Sequence, residues 1–227
     1  LTELAGKTMI RRVYEQATRC RLLSEVIVAT DDQRVADHVF SFGGHVVMTA
    51  PGHPSGTDRC REAARALKRP ANYIINIQGD EPLIDPLQID ELAAVLADGS
   101  IEIATQVAVI SDPAWLFDKN VVKAVINGNS EALYFSRLPV PCIRGVEEKD
   151  WLRHHTYFRH VGMYAYRSDI LEKITLLAVS PLEKAESLEQ LRWLEAGFRI
   201  RCVRTAFESI SVDTPADAER VRQLLVE

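Results

Sequence analysis

Through the first half of the chain, short apolar runs rich in β-branched residues alternate with stretches whose apolar positions recur every three or four residues. That alternation constrains the fold more than any other feature. Met9, Ile10, Val13, Tyr14, Ala17 and Cys20 have the helical period over Met9 to Leu23, and Val26 to Ala29 reads as a strand. Thr30 and Asp31 can cap a helix that buries Val35, Ala36, Val39 and Phe40 and stops at Gly43 and Gly44. Val46 to Met48 is the next strand. A loop from His53 to Arg59 then leads into a helix with Cys60, Ala63, Ala64 and Leu67 inward. Tyr73 to Ile77 is a strand buried on both faces, Pro86 to Leu96 a helix and Ile103 to Ile110 a strand. This order predicts an α/β three-layer sandwich, with a mixed, mainly parallel sheet between helices.

Beyond Ile110 the pattern changes. Val121 to Ile126 and Ala132 to Phe135 flank Asn127-Gly128, a hairpin signal, so antiparallel strands extend the sheet or form a lid. His160 to Tyr166 is a strand, Asp169 to Leu177 a helix, Pro181 to Ala196 a helix ended by Gly197, and Phe198 to Val203 a strand. Thr214, with Pro215 just inside and Asp217 three residues on, opens the last helix in capping-box fashion. The 227 residues suit a single domain over 1–227, with 121–166 as an elaboration.

A net charge of -5 argues against a broad polyanion-binding face, so nucleic acid is not the expected partner and any phosphate must be held by a local cationic cluster. Cys20, Cys60, Cys142 and Cys202 form no CxxC pair, which signals neither zinc nor a disulfide framework. Reduced thiols and a cytoplasmic location are the simplest reading. No apolar run approaches the ~18 residues that span a bilayer.

The chemistry concentrates at Gln78-Gly79-Asp80-Glu81-Pro82, just past the Tyr73 strand. In open α/β sheets ligands sit at the carboxyl ends of strands, and a carboxylate there suits Mg2+, which takes oxygen ligands and shares them with substrate phosphates. Asp80 and Glu81 are equally compatible with solvated turn acids ahead of a proline. No P-loop, GxGxxG or GxSxG is present, so the ATPase, dinucleotide and serine-hydrolase readings lose their main support. Polar clusters recur instead at Ser55 to Arg59, Gln78 to Glu81, Ser136-Arg137, Arg159-His160, Glu189-Gln190 and Ser211 to Asp213. Together they could hold a metal and an anionic, hydroxyl-rich ligand. Each alone also fits a surface charge, a cap or a solvated helix face. His154-His155 has no acid or Cys at ligand spacing, and the three tryptophans read as core or interface.

HPSGTDR at 53–59, NIQGDEP at 76–82, ALYFSR at 132–137, RHVGMYAYR at 159–167, SPLEKAESLEQLRWLEAG at 180–197 and SVDTPADAERV at 211–221 resemble the 3-deoxy-manno-octulosonate (Kdo) cytidylyltransferases, in that family's order. The resemblance implies a nucleotide-diphosphosugar-transferase-like fold. It implies a cytoplasmic homodimer that joins CTP and Kdo into CMP-Kdo and pyrophosphate for lipopolysaccharide synthesis. Asp80 and Asp213 would be the catalytic metal ligands for Mg2+. Ser55, Gly56, Thr57 and Arg59 would surround the cytidine, and Gln78, Arg137, His160, Tyr164, Glu189 and Gln190 would line the sugar pocket. Arg137 and His160 are the expected partners of the Kdo carboxylate, and residues 121–166 the sugar-binding or dimerisation elaboration.

Related readings are a cytidylyltransferase for sialic acid or amino-Kdo, distinguished by which sugar supports pyrophosphate release, and a non-catalytic sugar-binding fragment. A nucleotide-sugar glycosyltransferase would be expected to carry a DxD motif, which Gly79-Asp80-Glu81 is not. The family also begins with a strand and a glycine-, arginine- and lysine-bearing phosphate loop that would precede Leu1. A protein that truly starts at Leu1 is expected to turn over poorly, and full turnover by such a chain would contradict this.

Overall fold

The computed structural model describes residues 1–208 and 210–225. It divides into two compact units, Leu1–Ala94 with Phe207–Glu227, and Val95–Ala206.

In the first unit the strands Val28–Thr30 and Val46–Met48 pair in parallel, Val28 opposite Val46, with the helix Gln33–Ser41 connecting them. Asp32 caps that helix by accepting from the Arg34 N–H at 2.8 Å, one residue later than the sequence suggests. Ala36 and Val39 form the buried stripe, whereas Phe40, expected inside, is 78% exposed because the next position turns out of that stripe. The helix ends where Gly43 takes a φ of +78°, and at Gly44 any Cβ would lie 2.7 Å from both the Phe42 ring and the Val39 side chain.

The helix Met9–Ala17 is shorter than its periodicity. The Asp90 carboxylate explains the early stop, since it accepts from the N–H groups of Arg21 and Leu22 at 3.0 Å and holds the chain in a non-helical path. At the other end of the unit the helix Pro215–Leu224 opens with the expected capping box, Thr214 and Asp217 satisfying each other's N–H. Its Ala218 and Val221 pack on Leu4, with Met9, Leu83, Ile210, Val212 and Leu225 around them. That packing fixes where residues 211–213 run.

In the second unit the strands lie in the order Ile200–Arg204, Ile103–Val109, Phe158–Arg167, Lys123–Ile126, Ala132–Ser136. The first pair is parallel and the others antiparallel, so the α/β fold with a mixed sheet read from the sequence is the one observed. Ile103 to Ala108 are all buried, as a run hydrophobic on both faces demands. The expected hairpin forms across residues 127–131, with Asn127 N–H donating to Glu131 O at 2.9 Å and Ser130 left-handed at φ 58°.

The stretch Pro181 to Ala196 is two helices, Pro181–Glu186 and Gln190–Glu195, rather than one. Ser187 breaks it with φ 52° and ψ 50°, and the carbonyls of Glu186 and Ser187 turn to the Arg137 guanidinium instead of continuing the helical ladder. The apolar spacing of Leu182, Ala185, Leu188 and Leu191 runs through the break, but burial starts only after it, at Leu188 and Leu191. A left-handed serine is strained where glycine is not, so Ser187→Gly should raise the denaturant midpoint, by roughly 0.5–1 kcal/mol of stability. A fall in the midpoint would mean that the αL turn is not where the strain lies.

Candidate active site

The first unit brings Asp80 and Asp213 together. The chain leaves the strand Tyr73–Asn76, passes Gln78 and Gly79, and reaches Asp80, whose carbonyl accepts from the Val212 N–H at 2.8 Å. That bond sets Asp213 beside Asp80, with the Ser211 hydroxyl donating to Asp213 Oδ2 at 3.2 Å. Asp80 Oδ1 is buried and has no hydrogen-bond partner. Burial raises the Asp80 pKa, its own backbone amide opposes the rise, and the Asp213 charge adds to it.

A half-buried carboxylate with an unsatisfied oxygen and a second acid in range is the donor set a divalent cation needs. Among the described residues no group of three or more His, Cys, Asp and Glu side chains could hold a metal. Two carboxylates would suit Mg2+ shared with phosphate oxygens rather than a closed protein cage. Glu81, the other acid of the strand end, is 8% exposed.

Also in this unit, Ser55 caps the helix Gly56–Arg65, accepting from the Asp58 N–H at 3.2 Å and donating to Asp58 Oδ2 at 2.7 Å. The helix thus begins four residues before the sequence suggested, and Gly56, Thr57 and Arg59 occupy its first turn, with the Arg59 N–H donating to the Ser55 carbonyl at 3.3 Å. Arg59 reaches back to the Thr49 hydroxyl at 2.5 Å and to Asp31 at 3.3 Å. Glu62 pins the loop ahead of the cap through a short bond to His53 and through the Ala50 N–H.

The second unit assembles Arg137, His160, Tyr164, Glu189 and Gln190. The Arg137 guanidinium donates to the carbonyls of Glu186, Ser187 and Lys119, just ahead of the helix that starts at Gln190, which is buried with Glu189 as its cap. The His160 imidazole lies against Phe135 at 5.1 Å and Tyr164 at 5.2 Å between centroids. Burial of the ring pushes its pKa down to about 3, although the residue retains intermediate exposure.

Thr105 settles the tautomer. Its hydroxyl is 2.8 Å from the Met163 carbonyl, which can only accept, so the Thr105 proton goes there. Its oxygen then accepts from His160 Nε2 at 3.0 Å, leaving the Nδ1 lone pair available. Burial keeps the ring uncharged, so the histidine expected as a carboxylate partner presents Nδ1 as a neutral hydrogen-bond acceptor. Tyr164 stacks on Tyr166 and meets Trp193 edge-on. Burial holds its hydroxyl well above the usual phenol range; the approach to Thr105 that lowers it is too poor in geometry to be a hydrogen bond.

Sequence reasoning passed over Thr105, Glu62, Lys123 and Glu186. Only Lys123 left a signal, a lysine inside an otherwise apolar strand run; it is 1% exposed, its ammonium donating to Asp118 O and Val121 O at 2.7 Å.

Paired acids past one strand, with a capped helix start in the same unit, are the apparatus of a nucleotidyltransferase. Residues 1–204 match the family described as cytidylyltransferase. The chain is 52% identical over 222 residues to the 3-deoxy-manno-octulosonate cytidylyltransferase of Cytophaga hutchinsonii, covering 97% of this chain and 88% of that one. It is 47% identical over 233 residues to the protein of the same name from Geobacter metallireducens, covering 99% and 90%. A solved structure of CMP:2-keto-3-deoxy-manno-octonic acid synthetase complexed with CTP superimposes with a TM-score of 0.92 at 42% identity, over 100% of this chain and 90% of that one. The chain belongs to the 3-deoxy-manno-octulosonate cytidylyltransferase family.

Asp80 gives a test that needs no substrate. With its pKa raised on folding, its ionised form weakens the folded state above that pKa, and the penalty fades as pH falls through it. In cation-free buffer Asp80→Asn is expected to melt above the unsubstituted protein at neutral pH, with the gap closing on acidification. A variant that melts lower at neutral pH contradicts the assignment.

Proposed function

We infer that the protein transfers CMP from CTP to the anomeric hydroxyl of Kdo. The sugar oxygen attacks the α-phosphorus, the bond to the β-phosphate oxygen breaks, pyrophosphate leaves with the electron pair, and the hydroxyl proton passes to water. The Asp80–Asp213 pair carries the reading, because two neighbouring carboxylates, one with an unsatisfied oxygen, suit a phosphate-bound cation. Asp80 and Asp213 would hold Mg2+, which when bound supplies positive charge for the phosphates and the leaving group.

The other residues bind and orient. The start of the helix Gly56–Arg65 offers its positive dipole end and the Arg59 side chain to the nucleotide. Arg137 receives the Kdo carboxylate, since guanidinium and carboxylate match in charge and shape. His160, neutral and with Nδ1 available, accepts from a sugar hydroxyl, and the Tyr164 hydroxyl and Gln190 amide address others. Glu189 completes the sugar contacts of the second unit, and Gln78 is a candidate contact on the first. Holding the hydroxyl in line with the phosphorus then supplies much of the rate. The family resemblance supports a cytoplasmic homodimer feeding lipopolysaccharide synthesis.

Pyrophosphate release by the purified protein with CTP and Mg2+ tests the reading against Kdo, amino-Kdo, sialic acid and no sugar. Release that requires Kdo and falls at least ~100-fold in Asp80→Ala is expected, the scale of losing a charge-stabilising group. Release with sialic acid or amino-Kdo in preference to Kdo would reassign the sugar, and release independent of Asp80 would remove it from the site.

A further inference from the structure

A guanidinium has five N–H donors. Three of those on Arg137 go to backbone carbonyls: Nε to Glu186 at 2.6 Å, Nη1 to Lys119 at 3.0 Å and Nη2 to Ser187 at 3.3 Å. One donor on each Nη remains, and such a pair matches the two oxygens of a carboxylate. The Glu186 side chain holds the same arginine by its main chain, Oε2 accepting from the Arg137 N–H at 2.9 Å. Its Oε1 accepts from the Ser136 hydroxyl at 3.2 Å and, more weakly, from the Tyr134 hydroxyl at 3.4 Å. Glu186 therefore grips Arg137 twice, with its carbonyl on the guanidinium and its carboxylate on the backbone.

The surroundings reinforce the grip. Lys123 ties Asp118 O and Val121 O together, fixing the turn whose Lys119 carbonyl holds Nη1. Its buried ammonium also feels Glu186, which favours the charged form, and Arg137, which opposes it. Asp118 and then Glu186 favour the charged Lys123, while the three hydrogen bonds of the Glu186 carboxylate, one of them from the Arg137 N–H, fix the main chain from which that arginine extends.

We propose that Glu186 is a positioning residue for the acidic sugar, setting Arg137 so that its two unspent donors receive the sugar carboxylate. The inference rests on the functional reading above, in which Arg137 meets Kdo.

The test is pyrophosphate release by the full natural chain and its Glu186→Ala, Glu186→Gln and Tyr134→Phe variants, with Kdo and CTP varied in turn and melting followed alongside. Glu186→Ala should raise the KM for Kdo roughly tenfold and leave the KM for CTP within about twofold, as expected for losing hydrogen bonds to a charged group. Glu186→Gln, whose amide oxygen still accepts from the Arg137 N–H, should recover most of that loss. A Kdo analogue with its carboxylate reduced to an alcohol should be rejected less strongly by Glu186→Ala than by the natural protein. A merely structural role would not change that preference.

An unchanged KM for Kdo in Glu186→Ala, or KM values for both substrates rising together as the melting point falls, overturns the inference. If Glu186→Ala does not fold, Tyr134→Phe decides: a rise in the KM for Kdo alone supports the inference, and no rise, or an equal rise for CTP, overturns it. No Kdo-dependent release by the unsubstituted chain would sink the functional reading and the inference with it. Normal turnover there, with an indifferent Glu186→Ala, sinks the inference alone.

Discussion

The hydrogen bond from the Val212 N–H to the Asp80 carbonyl joins two segments far apart in sequence, and the candidate chemistry depends on it. One such bond contributes only about 1 kcal/mol net, too little to hold the segments by itself. Around it the capping box at Thr214 starts the last helix at a defined residue, and Leu4, Ala218 and Val221 anchor that helix in the apolar cluster that also takes in Val212. Apolar packing supplies the energy and the backbone bond supplies the register. The result is two acids at one place, an arrangement that costs stability when no cation is present.

The second unit handles its polar groups differently. Where Asp80 has an oxygen left unsatisfied, Arg137, Lys123 and His160 are held by partners that fix their direction. Backbone carbonyls turn Arg137, two further carbonyls hold Lys123, and Thr105 selects the tautomer of His160. A carboxylate or hydroxyl bound at Arg137 or His160 would meet groups whose orientation was set during folding, which would lower the ordering cost of binding. The left-handed Ser187 is part of the same arrangement, because a continuous helix would keep for itself the carbonyls that Arg137 needs.

Much of this fold was legible in the sequence, for identifiable reasons. Val46–Met48, the Asn127 hairpin and the Thr214 capping box came through because period-two runs and cap chemistry are local. Local signals also misled. Phe40 has the spacing of a buried residue but lies on the wrong side of the Ala36–Val39 stripe. The run from Pro181 to Ala196 keeps its period across a break caused by Arg137, far away in sequence. The motifs marked Asp80, Asp213 and Arg137, but the neutrality of His160 follows from its burial, and its tautomer from a threonine on the neighbouring strand. Glu186 looked like one more acid on a helix, and its role depends on three partners that only the fold brings to it.

The central claim is that Asp80 and Asp213 hold one divalent cation together with the phosphates of CTP. Electron paramagnetic resonance of Mn2+, used as a reporter for Mg2+, measures this directly as loss of the free-ion signal on adding protein and CTP. The account predicts that the natural protein depletes the signal only when CTP is present, and that Asp80→Asn and Asp213→Asn each weaken the depletion by roughly tenfold or more, the loss expected when a bound charge loses a partner. Equal depletion by all three proteins would contradict it.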